Sequence, residues 1–339
     1  MYVVDLELLD ETLARRSEPA FRARQVWAWA ARGASDYAAM TDLPGALRSA
    51  LASEVPFSSL TLEREARARD ATVKALFSTA DGRPLEAVLM RYRDGRRSLC
   101  VSSQSGCALD CAFCATGRMR FARNLTPSEI IDQALHFRRL DGGAPLTHCV
   151  FMGMGEPMLN VDAVLAACER LPDLGVSHRH TTVSTVGWLP GIEALAAQPL
   201  PLRLALSVHA ADEALRSELM AVNERYPLAD VIDAARAFYA RKRRRVFVEY
   251  VMLAGVNDRY EQAAALARLL AHERRASVFK VNLIPYNPIG ESDRFTGSSR
   301  AAIAAFAAAL SEHGVPATVR LTRGREIDAA CGQLAATAR

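Results

Sequence analysis

The chain has 339 residues, 50% of them hydrophobic and 24% charged, with a formal net charge of +4. That length suffices for one large α/β domain and a smaller accessory one, and so modest a charge excess carries no global signature of a nucleic-acid partner. No apolar run reaches membrane length, and Asp5 and Glu7 are acidic where a secretory leader would be basic, so a cytoplasmic chain with no membrane partner is expected.

Residues 1–60 read as a small Ala-rich helical unit. Phe21, Val26, Trp27 and Trp29 form an apolar stripe, Leu43, Leu47 and Leu51 repeat every four residues, and Arg22, Arg24 and Arg32 lie on the exposed side. Residues 72–79 and 85–92 read as strands around the turn Asp81-Gly82-Arg83-Pro84, so 61–97 is expected as a β-hairpin extension. From 98 to 295, short apolar strands alternate with amphipathic helices. The strands are Leu99–Ser103, His148–Met152, Thr181–Ser184, Arg203–Ser207, Val246–Val251 and Phe279–Ile284; the helices between them include Pro127–Leu140, Val161–Leu171 and Tyr260–His272. Six such units imply a parallel sheet, too short to close, and hence a partial (βα)6 barrel of the α/β class. Residues 296–339 complete the chain with a helix (Ser299–His313), a strand (Ala317–Leu321) and a tail that carries Cys331.

The sharpest motif follows the first of these strands. Cys107, Cys111 and Cys114 sit in Gly-Cys-Ala-Leu-Asp-Cys-Ala-Phe-Cys. Three thiolates on one short loop cannot pair evenly as disulfides; they fit an iron–sulfur cluster or a zinc ion. Zinc sites usually present two Cys-x-x-Cys knuckles, and a second is missing here, so a 4Fe-4S cluster is favoured over zinc completed by Cys100 or a histidine. Three ligands leave one iron open to chelate the amino and carboxylate groups of S-adenosylmethionine (SAM). Reductive cleavage of SAM then gives a 5′-deoxyadenosyl radical.

In parallel β/α folds the reactive groups collect at the carboxyl ends of the strands. Gly153-Met154-Gly155-Glu156-Pro157, Ser184-Thr185, Ser207-Val208-His209 and Pro285-Tyr286-Asn287-Pro288 all fall there, on the same rim as the cysteine loop. Two basic clusters stand out. Arg118, Arg120 and Arg123 flank the cysteine loop, and Arg241–Arg245 suits either a solvated helix end or RNA phosphate. Cys149, in an apolar strand, and Cys168, on a helix face, read as ordinary buried thiols.

Four segments together resemble a known family: Phe21-Arg22-Ala23-Arg24-Gln25-Val26-Trp27, the run Leu99–Cys107, Arg123-Asn124-Leu125-Thr126, and Ile327-Asp328-Ala329-Ala330-Cys331-Gly332-Gln333-Leu334. The chain is similar to the radical-SAM RNA adenosine methyltransferases of the RlmN/Cfr family, and most to the RlmN type. The resemblance implies a radical-SAM barrel with an N-terminal RNA-binding domain. It makes Cys107, Cys111 and Cys114 the cluster ligands, and Gly155, Glu156, Ser184, Ser207, Val208, His209 and Asn287 the SAM contacts. It makes Cys331 the thiol that becomes methylated, Cys100 the thiol that later resolves the product, and Glu86 the candidate proton acceptor.

The implied substrates are adenosine 2503 of 23S rRNA and adenosine 37 of tRNAs, methylated at C2 with two SAM molecules per turnover. Because C2 of adenine is electron-poor, the methyl group travels through Cys331 and a transient disulfide with Cys100, which suits a reducing compartment. An electron donor such as flavodoxin with its reductase, or ferredoxin, is expected, and so is a monomer. The alternatives are a Cfr-type enzyme acting at C8 and a non-catalytic zinc or RNA-binding protein.

Overall fold

The computed structural model describes residues 5–271, 278–290 and 293–336. In chain order its strands are β1 (Leu60–Arg67), β2 (Val73–Thr79), β3 (Pro84–Arg91), β4 (Arg97–Cys100), β5 (Gln104–Ser105), β6 (Arg123–Asn124), β7 (His148–Phe151), β8 (Thr181–Thr185), β9 (Arg203–Ser207), β10 (Val246–Met252), β11 (Phe279–Pro285) and β12 (Ala317–Val319). Among the described residues, ten of these form one sheet in the order β1-β2-β3-β4-β7-β8-β9-β10-β11-β12, while β5 and β6 pair separately. From β4 to β12 every neighbouring pair is parallel. β1, β2 and β3 are antiparallel and join the parallel set at the β3–β4 edge.

The parallel strands are buried on both faces, one packed under the helices and the other turned into the barrel, where Ser184, Ser207, Glu249 and Ile284 line a chamber. All five residues of β8 are buried. The six expected strands are present, with shifted ends. The first leaves the sheet at Cys100, because from Val101 onward the chain bonds to the loop after β7: the Ser103 amide donates to the Met154 carbonyl at 2.9 Å. The terminal strand also enters the parallel set as β12, so that set has one strand more than the six expected. β1 was not foreseen. Its sequence, Leu-Thr-Leu-Glu-Arg-Glu-Ala-Arg, favours helix and is largely exposed; pairing with β2 overrides that preference.

The expected helix Pro127–Leu140 is observed over those residues, fixed at its start by a Thr126–Glu129 capping box and Pro127. The last helix runs Arg300–Glu312, with Ser299 as its N-cap. Another runs Tyr260–Leu270; its expected end, His272, lies outside the described residues. No described helix is long and apolar enough to cross a membrane.

The N-terminal helices Leu6–Arg15, Phe21–Ala31 and Gly45–Glu54 do not form a separate core. Leu9, Leu13, Val26, Leu47 and Leu51 belong to the same buried cluster as Phe137, Phe151 and Phe279 of the barrel. The Trp27 indole donates to Asp173 Oδ2 at 2.6 Å, and the buried Arg138 Nε donates to the Ala31 carbonyl at 3.0 Å. At this seam the backbones of Gly33 and Gly143 touch. A Cβ on Gly143 would lie 2.3 Å from the Arg32 carbonyl oxygen, and φ there is +81°. Only glycine fits both the space and the left-handed backbone. Gly143→Ala should therefore lower stability by about 1–3 kcal/mol in urea unfolding, with one cooperative transition retained.

Candidate active site

The cysteine loop is an excursion between β5 and β6, whose short ladder (Gln104 opposite Asn124, Ser105 opposite Arg123) closes it at the base. Within it the Cys114 amide donates to the Cys111 carbonyl at 3.1 Å and the Ala112 amide donates to Leu219 at 3.0 Å. Cys107, Cys111 and Cys114 all line one chamber at the carboxyl ends of the parallel strands. Burial pushes the Cys107 thiol up to about 12 and the Cys111 thiol well above its usual value, and the neighbouring thiols push in the same direction. Ionising such buried thiols side by side calls for a positive charge among them.

Gly155, Glu156, Ser184, Ser207 and His209 line the same chamber, as expected. Gly155 has φ +91°, and a side chain there would strike Gln104. Gln104 in turn accepts from the Glu156 amide at 2.8 Å. The Glu156 carboxylate receives the amides of Met158 and Val186, each at 3.0 Å, yet among the described residues no cation is paired with it. Burial raises it to about 7. A buried carboxylate without a counter-ion suits a ligand that brings an ammonium group. His209 has φ +58°, and its Nδ1 accepts from the Val251 amide at 3.0 Å. Burial lowers it to about 3, so the ring is neutral.

Three expected site residues are placed differently. The Val208 side chain belongs to the hydrophobic core and lines neither chamber, although its neighbours Ser207 and His209 line the first. Asn287 faces a second chamber, where its Nδ2 donates to the Cys331 carbonyl at 3.2 Å. Glu86 lines neither chamber. Its carboxylate is 1% exposed and engaged by Lys74 and by tail amides. Arg123 is not free for RNA: it pairs with Asp81 and Glu129, both at 2.7 Å. In the Arg241–Arg245 run, Lys242 and Arg244 donate to backbone carbonyls, and Arg243 is the left-handed cap of its helix.

Other residues escaped the sequence reading. Arg216 is fully buried and donates to the Val186 carbonyl at 2.6 Å, bracing the loop after β8; burial lowers it to about 10. Glu249, in the middle of apolar β10, lines the first chamber, and Arg320 pairs with it at 3.1 Å from the second. A lone acid inside an apolar strand is the signal that could have found Glu249.

The two chambers meet at the tail. Cys331 borders both, Cys114 borders both, and Cys100 borders the second. Although protein surrounds it, Cys331 is exposed to these open chambers. Burial pushes the Cys100 thiol up to about 12, and the neighbouring Cys331 adds to the rise.

Residues 101–267 match the family model of the Radical SAM superfamily, and residues 3–56 match that of the ribosomal RNA large subunit methyltransferase N-terminal domain. The chain is 51% identical over 334 residues to a probable dual-specificity RNA methyltransferase RlmN of Gemmatimonas aurantiaca, covering 97% of this chain and 90% of the relative. It belongs to the RlmN family of radical SAM RNA methyltransferases. Another RlmN-family relative, from Chloroflexus aurantiacus, is 48% identical over 99% of this chain and 92% of its own length. The crystal structure of a radical SAM methyltransferase from Sphaerobacter thermophilus superposes with a TM-score of 0.90 at 44% identity, covering 99% of both chains.

Membership of the RlmN family makes the chain an RNA-modifying enzyme with a 4Fe-4S cluster and SAM, and it sets aside the non-catalytic zinc alternative. The donor set fits both groups in kind: three thiols and the Glu156 carboxylate line one chamber. Anaerobic reconstitution should load about four irons per chain with matching sulfide. Cys111→Ala should reduce that to background in an iron assay while far-UV circular dichroism stays unchanged; one zinc per wild-type chain would contradict the cluster.

Proposed function

We propose that the chain methylates C2 of adenosine 2503 in 23S rRNA and of adenosine 37 in tRNAs, with Cys331 as the methyl carrier and Cys100 as the resolving thiol. The observation that carries this reading is the position of Cys331 on the border of two chambers, with the cluster cysteines in one and Cys100 in the other. The names of the relatives, dual-specificity RNA methyltransferases of the RlmN type, support RNA as the substrate and an activity of the RlmN rather than the Cfr type.

When bound, the cluster and two SAM molecules per turnover supply a transferable methyl group and a 5′-deoxyadenosyl radical, with the electron coming from a donor of the flavodoxin or ferredoxin type. Cys107, Cys111 and Cys114 hold the cluster, and Glu156 receives the SAM ammonium group; Gly155 gives the cofactor close access to backbone. Ser184, Ser207 and His209 complete its pocket. Cys331 takes one methyl group onto its Sγ. Once that group has lost a hydrogen atom, its carbon would bond to adenine C2 and the adduct would return one electron to the cluster, so that Cys331 tethers the RNA as a closed-shell thioether. As the C2 proton leaves, Cys100 would attack Cys331 Sγ, and the S–C bond would break with its electron pair passing to the transferred carbon. That carbon would take up a proton to become the methyl group, leaving a disulfide between Cys100 and Cys331 and methylated RNA.

RNA must present an unstacked base to reach a sulfur that lies between two chambers rather than on the outer surface. The second chamber has the lining for this. The Tyr92 ring carries the Arg96 guanidinium 4.3 Å and the Arg323 guanidinium 4.6 Å from its centroid, and Arg320 stands nearby. Aromatic and cationic groups together favour a stacked base and its phosphates.

The test is nucleoside mass spectrometry of unmodified 23S rRNA after anaerobic incubation with cluster-loaded protein, SAM and reductant. 2-Methyladenosine is the expected product; 8-methyladenosine would assign the C8 reaction, and an unmodified adenosine would overturn the reading. In the same assay Cys331→Ala should abolish transfer while keeping the iron. Cys100→Ala should accumulate protein covalently linked to RNA on denaturing gels, and absence of that species would remove Cys100 from the resolving role.

A further inference from the structure

The tail from Ile327 to Ala336 has little regular structure, and Asp328, Gly332 and Ala336 have positive φ (51°, 85° and 48°). Its course is therefore set by tethers from the rest of the molecule. Some lie beside the chambers: the Ala115 amide donates to the Gly332 carbonyl at 2.7 Å, and Gln333 Nε2 donates to the Pro288 carbonyl at 2.9 Å.

Another comes from outside the chambers. Lys74 on β2 and Glu86 on β3 form an ion pair with side chains 10% and 1% exposed, Nζ lying 2.9 Å from Oε1. Lys74 Nζ also donates to the Asp328 carbonyl at 3.2 Å. Glu86 Oε2 accepts the amides of Ala335 at 3.0 Å and Ala336 at 3.1 Å. The pair thus grips the tail on both sides of Cys331.

A buried ion pair is weak evidence of stability by itself, since removing two charges from water costs much of what their attraction returns. A pair serving only the sheet would be satisfied inside the sheet. Here the remaining oxygen of Glu86 and a proton of Lys74 go to tail backbone, in charge-assisted hydrogen bonds roughly twice as strong as neutral ones.

We propose that Lys74 and Glu86 are positioning residues that latch the C-terminal tail and so hold Cys331 at the junction of the two chambers. The proposal rests on Cys331 being the methyl carrier, and it gives Glu86 a role other than proton acceptor. The carboxylate acts through Cys331 and touches no substrate. Holding both flanks of a loop restricts its middle more than holding one, because the segment left free is shorter.

The test compares cluster-loaded wild type, Lys74→Met, Glu86→Gln and the double variant. Hydrogen exchange of the 328–336 segment is read by mass spectrometry, alongside RNA methylation kinetics. Iron content and circular dichroism identify any variant that fails to fold, and Glu86→Gln, which keeps an acceptor oxygen, is the gentler of the two. Each single variant should exchange the Ala335 and Ala336 amides about tenfold faster. Each should also lower kcat with little change in KM for RNA, and the double variant should be no worse than the worse single one.

Wild-type exchange in both single variants would overturn the latch. So would loss of turnover in Glu86→Gln alone with the tail still protected, which would return Glu86 to proton transfer. If wild-type Cys331 never carries a methyl group by mass spectrometry, the carrier reading fails separately, while the exchange data still report on the latch.

Discussion

The hydrogen bond from the Ala115 amide to the Gly332 carbonyl makes the cysteine loop and the C-terminal tail one object. Thr116 reinforces it by donating from Oγ1 to the Leu334 carbonyl. Every feature of the site depends on this junction. The three cysteines come from a loop after β4 and β5, whereas Cys331 comes from beyond the last strand, at the far end of the parallel set. Curvature of the sheet brings the two ends toward each other, and these bonds complete the approach. Without them Cys331 would be a thiol on an irregular terminus, and the wall that Met152, Gly153 and Ile284 share between the two chambers would lose its tail portion.

The buried charges of the site are of two kinds. Arg216 and the Arg320–Glu249 pair are satisfied internally: Arg216 by the carbonyls of Val186 and Ser207, Arg320 by the Glu249 carboxylate. Such groups stiffen the walls, since moving either partner would strand the other in low dielectric. Glu156 is different. It has amide donors but no described cation, and burial raises it to about 7. The walls are electrostatically closed while the pocket is left with one unmet demand, which is how a fixed site favours a cationic ligand over water.

What could be read from the sequence was what local chemistry decides. Runs such as Arg203–Ser207 and Phe279–Ile284 are apolar because both faces of a parallel sheet are covered, so pattern alone located them. The cysteine loop, Gly155 and Glu156 were legible because their spacing is itself the constraint. What escaped depends on contacts distant in sequence. β1 forms against its own helical preference through pairing with β2. Arg123 looked available for RNA until Asp81 and Glu129, 42 and 6 residues away, closed around it. Glu86 reads as a candidate acid–base group, and only the fold brings Ala335, 249 residues later, onto its carboxylate.

An open barrel has two outer strands, each a template onto which another chain could add. A closed barrel never meets this hazard. Here β1 and β12 occupy those positions. β1 carries Glu63, Arg64, Glu65 and Arg67 and breaks register between Leu62 and Arg64. β12 is only three residues long. Charge and irregularity on one side, brevity on the other, make both edges poor partners for β-addition. The sheet can then stay unclosed without exposing the enzyme to edge-to-edge aggregation.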